Sequence, residues 1–140
     1  MKKIYILLVL CLFAVRAISQ ENTNNTGNQA VDPRISEVFA DQLQQLVLSD
    51  PQRLKNLNAI LNQRYEVVDF TYKSDEKHPK LSSVKLFNKY NPNLQRDVIF
   101  DKSTFNILKY DLDFYAPTDK IYRIDDTNLI IIVHPQNLRK

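Results

Sequence analysis

Asp111 and Asp113 stand two positions apart in the alternating stretch FNILKYDLDFY, residues 105–115. On an extended strand such residues share a face, roughly 7 Å apart. Two carboxylates at about that separation can act as acid and base on a glycosidic bond. A solvent-facing polar row gives the same spacing, and Lys109 extends that row, so alternation alone accounts for the pair. The two histidines, His78 and His134, are 56 positions apart and neither belongs to an HExxH-like spacing. Asp125-Asp126-Thr127-Asn128 gathers oxygens, but it lacks the D-x-D-x-D-G pattern of a calcium loop, and a tight turn needs this composition anyway. No serine sits in a G-x-S-x-G elbow. These residues assign no catalytic group, no metal ligand and no cofactor site, and the chain reads more as a binding protein than as an enzyme.

The aromatic residues carry more information. Phe87, Phe105 and Tyr115 fall opposite the main apolar rows of their segments, which makes them candidates for a partner surface. Tyr110 and Phe114 share a face with Leu108 and Leu112, and they are expected to edge a cleft between helices and sheet. There is no tryptophan, which weakens a sugar-stacking role.

These residues must be positioned by a small set of elements. Asp32-Pro33 and Asp50-Pro51 are two helix starts: Asp accepts from an orphan N–H and Pro suits the first helical position. Ile35, Val38, Phe39, Leu43, Leu46 and Val47 form one helical stripe, and Leu54, Leu57, Ile60 and Leu61 a second. The short link between them predicts a helical hairpin or a sharp corner. From Tyr65 the period changes to two. Strands are expected at 65–72, with Val68, Phe70 and Tyr72 on one face, and at 81–90, 95–101 and 105–115. KIYRI (120–124) and LIIIVH (129–134) close as a hairpin around Asp125–Asn128. LIIIV is apolar on both faces and suits a central strand, since at an edge it would invite aggregation. The expected fold is α+β, an N-terminal helical hairpin packed on a roughly five-stranded antiparallel sheet in the order ααβββββ.

The N-terminus bounds the setting. Lys2 and Lys3 precede twelve apolar residues, Ile4–Val15, and Ala17-Ile18-Ser19 places small residues at −3 and −1 of a cut before Gln20. That is the layout of a secretory signal peptide over 1–19, too short for a comfortable membrane span. Retention as an anchor is the competing reading. Cys11, the one cysteine, lies inside this apolar run, so the exported chain would hold no disulfide. QENTNNTGNQAV, 20–31, is polar and reads as a flexible tether. A single domain follows over 32–136, with a short tail at 137–140. The chain has 19 basic and 16 acidic residues, but three of the bases are in the leader, leaving 16 of each sign. Nucleic-acid binding needs clustered basic surface and is therefore not expected. Gly27, the one glycine, precedes the folded part, which removes glycine-rich phosphate loops. The expectation is a small exported protein, periplasmic or extracellular, that meets membrane only through its leader. It is expected to work by contact with an envelope protein partner. A periplasmic small-molecule binder or minor hydrolase using the helix–sheet cleft is the alternative.

Overall fold

The computed structural model describes residues 30–70 and 77–136. The expected leader, most of the expected tether, residues 71–76, among them Tyr72 of the strand expected at 65–72, and the tail at 137–140 lie outside them. The described residues from Val31 onward belong to one compact unit. No helix among them is long and apolar enough to cross a membrane.

Helix α1, Pro33–Phe39, starts as its residues dictate: Asp32 Oδ1 accepts from the Arg34 N–H at 2.9 Å and Pro33 opens the first turn. Helix α2, Pro51–Gln63, repeats the device, with Asp50 Oδ1 accepting from the N–H groups of Gln52 and Arg53, each at 3.1 Å. Between them the helical stripe does not continue as one helix. The chain breaks at Ala40, whose φ of 43° lies in the region that favours glycine. A 3-10 turn, Ala40–Gln42, and a π-helical turn, Gln44–Leu48, follow. The expected helical hairpin is therefore not formed by two regular helices. α2 packs on the π-turn and on β1, while α1 packs on the 3-10 turn at Ile107–Lys109.

The sheet has three strands: β1 (Tyr65–Asp69), β2 (Lys120–Arg123) and β3 (Leu129–Val133), ordered β1-β3-β2 and antiparallel throughout. LIIIV is the central strand, as its two-sided apolarity demanded, and Ile130, Ile131 and Val133 are buried. The register sets Tyr65 opposite Val133, Val67 opposite Ile131, and Tyr122 opposite Ile131 on the other side. That row faces the main core. The expected face of Val68 and Phe70 is thus displaced by one residue, because pairing places Val68 beside Ile130 on the opposite face.

The three other expected strands are absent, and the sheet is three-stranded rather than five-stranded. Residues 81–83 form a 3-10 turn, and so do Ile107–Lys109, where the Asn106 side chain accepts from the Leu108 N–H at 3.1 Å. Residues 95–101 lie between local turns at Asn91–Leu94 and Asp101–Phe105 and find no partner strand. Two isolated bridges remain among the described residues: Leu86 to Tyr110, flanked by Phe87 N–H to Lys109 O and Asp111 N–H to Lys85 O, both 2.8 Å, and a parallel one from Lys80 to Arg123, whose N–H donates to Pro79 O at 2.9 Å.

The long irregular stretch between β1 and β2 is nevertheless packed. Leu81, Leu94, Phe105, Ile107, Leu108, Tyr110 and Leu112 join the helices and sheet in one core. Side chains satisfy the backbone that strands would have satisfied. Asn91 Nδ2 donates to Glu37 O at 2.8 Å, Arg96 donates to the carbonyls of Leu81 and Val84, and Asn106 Nδ2 donates to Arg34 O at 2.8 Å.

Candidate functional site

A groove of about 510 Å³ opens between α2 and the 108–115 segment. One wall is helical: α2 contributes Arg53, Leu57 and Ile60, three and four residues apart and so on one helix face. Val38 and Phe39 of α1 continue it. A second wall is aromatic. Phe39 stacks on Tyr90 at 5.3 Å between ring centroids, and Phe87 meets both edge-on, at 6.5 Å and 5.6 Å. The Lys89 ammonium lies 5.3 Å from the Tyr90 ring centre. The third side is the 108–115 segment.

That segment is extended without being a strand. Leu112 N–H bonds to Tyr110 O at 2.8 Å and Phe114 N–H to Leu112 O at 2.9 Å, two successive three-residue turns. A zigzag of this kind keeps alternate side chains on alternate sides. Tyr110 and Leu112 are buried, while Asp111, Asp113 and Tyr115 face outward. The segment is fixed at its end by Arg64, which donates to the carbonyls of Phe114 and His134.

The residues singled out from sequence therefore divide. Tyr110 and Phe114 line a groove against the helices, but its other side is the irregular 108–115 segment and not the sheet expected to form the cleft. Tyr115 is 73 % exposed on its rim. Phe87 is half-buried and forms groove wall rather than a flat outer face. Phe105 is a correction: it is buried, with Phe100 at 5.1 Å, Tyr110 at 5.7 Å and Tyr65 at 6.3 Å around its ring. The Asn106-capped turn replaces the expected strand and rotates Phe105 into the core. The three residues expected to form one partner face are thus not on one face.

Lys109 is a second correction. Expected on the wet side with Asp111 and Asp113, it is buried. Its ammonium lies 2.6 Å from Asp97 Oδ1 and 3.4 Å from Glu37 Oε1. Asn106 Nδ2 donates to Glu37 Oε2 at 2.8 Å and the Tyr110 hydroxyl donates to Asp97 Oδ2 at 3.2 Å. Burial, then the Asp97 carboxylate, push the Tyr110 phenol from the ordinary 10.0 up to about 12. The network ties Glu37 of α1 to Lys109 and Tyr110 in the floor of the groove. Sequence offered one signal, a lysine between Leu108 and Tyr110, but nothing that distinguished it from a solvated one.

The charged groups at the groove are Arg53, Asp111 and Asp113. Arg53 is engaged: it donates to Leu46 O at 2.6 Å and lies 3.8 Å from Asp50. Asp113 has Lys120 at 3.9 Å. Asp111 has no ion-pair partner among the described residues. Both carboxylates face water, whereas glycoside hydrolysis needs one of them desolvated as an acid. Elsewhere, Ser82 and Lys85 have an S-x-x-K spacing, but Ser82 Oγ donates to Asp125 Oδ1 at 2.7 Å and not to a lysine. His134 sits between Asp119 (3.1 Å) and Glu66 (3.7 Å) with no hydroxyl nucleophile bonded to it among the described residues. No group of three or more His, Cys, Asp or Glu among the described residues could hold a metal ion. Comparison with protein-family models, with curated proteins and with solved structures finds no match to this chain.

Proposed function

We propose that this protein is a small exported binding module of the cell envelope that acts without catalysis, holding an apolar segment of a partner protein in the groove between α2 and the 108–115 segment. The observation that carries the reading is the groove itself. Its volume of about 510 Å³ falls in the range of functional pockets, and its lining is aliphatic and aromatic with few polar groups. Tyr115 stands on the rim largely exposed, and a tyrosine in that setting is a typical contact residue. The walls are preformed, since the Phe39–Phe87–Tyr90 cluster and the Lys109 network hold them, so little ordering would be needed on binding. The leader and the near-neutral exported chain agree with an envelope setting.

The test is a peptide-display selection on the purified protein, repeated with Leu57→Glu, which puts a charge in the apolar wall. The reading expects enrichment of segments rich in large apolar residues and loss of that enrichment in the variant, with its far-UV spectrum unchanged. Absence of enrichment, or enrichment indifferent to Leu57, would overturn it.

A further inference from the structure

We infer that the occupant of this groove is an extended, cationic peptide segment, with Lys or Arg at alternate positions and large apolar residues between them. The inference rests on the groove reading above and adds the chemistry of the partner.

Charge complementarity carries it. The acid-bearing side of the groove presents Asp111, Asp113 and Tyr115 as one outward row. Asp111 has no ion-pair partner among the described residues, and Asp113 is met only by Lys120 at 3.9 Å, with both side chains about half exposed. The single cation of the lining, Arg53, is on the opposite wall and already engaged by Asp50 and Leu46 O. The charge left unmatched on the acid-bearing side is therefore that of Asp111, with the Lys89 ammonium turned over the Tyr90 ring on the aromatic wall, and beside Asp111 lies apolar wall. A ligand that covers this mouth must bring cations for the carboxylates and apolar side chains for Leu57, Ile60 and Phe87.

Spacing selects a peptide. Asp111 and Asp113 are two residues apart in a zigzag that repeats its side-chain direction every second residue. An extended peptide laid alongside likewise repeats its own side chains on one face every second residue. Its cations then meet the two carboxylates in turn, while the intervening apolar side chains point into the groove. Tyr115 closes the row and offers a ring face to a further guanidinium or ammonium.

The experiment uses three fluorescein-labelled peptides that alternate leucine with lysine, with glutamine or with glutamate, titrated by anisotropy against the purified protein at low salt and in about 1 M NaCl, where exposed pairs are screened. Two solvent-exposed ion pairs predict about tenfold tighter binding of the lysine peptide than of the glutamine peptide. Asp111→Asn with Asp113→Asn should reduce that ratio to below about twofold, and high salt should do the same. Equal, salt-independent affinity for all three peptides, or preference for glutamate, overturns the cationic partner and leaves the groove reading standing. Failure of all three to bind overturns both.

Discussion

Lys109→Met separates the packed arrangement from a simple alternating strand more sharply than any other substitution. In the structure the Lys109 ammonium is sealed between Asp97 at 2.6 Å and Glu37 at 3.4 Å, and its side chain is only 7 % exposed. Methionine keeps the length of the stem and removes the charge. Two carboxylates then face each other across the vacated position, one of them still hydrogen-bonded to Tyr110. Removing one partner of a fully buried pair costs about 3–5 kcal/mol. Here the Asp97 and Glu37 side chains retain 27 % and 45 % exposure, so water relieves part of the charge. The expected loss is about 2–3 kcal/mol, just below that range. For a domain of this size it corresponds to a fall in Tm of about 8–15 °C. Adding Asp97→Asn to Lys109→Met should recover about 1 kcal/mol, as expected of residues in one network. The assay is urea unfolding followed by far-UV circular dichroism and tyrosine fluorescence, there being no tryptophan. A loss below about 0.5 kcal/mol, the size of an ordinary surface change, would refute the buried network and with it the tie between α1 and the floor of the groove.

Three other outcomes are expected. Ala40→Gly should stabilise by about 1 kcal/mol, because relief of a Cβ at φ 43° outweighs the chain entropy of glycine; a lower urea midpoint would count against the break at Ala40. Because the Tyr110 phenol is raised to about 12, the stability it contributes is complete below the ordinary 10.0 and lost as pH rises through about 12; Tyr110→Phe should flatten unfolding midpoints across that window, and an unchanged slope would contradict the burial of the phenol beside Asp97. Burial pushes the Asp125 carboxyl up, but the Ser82 hydroxyl and N–H and the Lys80 ammonium together hold it below the usual range. Its contribution is therefore present above about pH 4 and lost as pH falls through the lowered value, and Ser82→Ala should make acid unfolding less steep.

Local signals were the legible ones. Asp32-Pro33 and Asp50-Pro51 mark both helix starts because capping is a matter of a few adjacent atoms. The hairpin at 120–133 and the central place of LIIIV follow from turn chemistry and two-sided apolarity. Tyr110 and Phe114 share a face with Leu112, which a zigzag preserves as well as a strand does, but the groove they line has no strand in its walls, so it is not the helix–sheet cleft expected. For the same reason the strand itself was misread: alternation reports side-chain direction, not whether the backbone bonds to a neighbour or turns on itself at Leu112 and Phe114. Phe105 and Lys109 were misplaced by the Asn106-capped turn between them, which depends on an amide reaching Arg34 and Glu37 on α1. The break at Ala40 carries no proline or glycine to announce it.

The most direct test of the groove as the working surface is amide hydrogen exchange of the purified protein with and without the lysine–leucine peptide. The account predicts slowed exchange confined to 53–60, 85–90 and 108–115. Protection centred instead on the exposed Val98-Ile99 loop, or none despite saturating peptide, would contradict it.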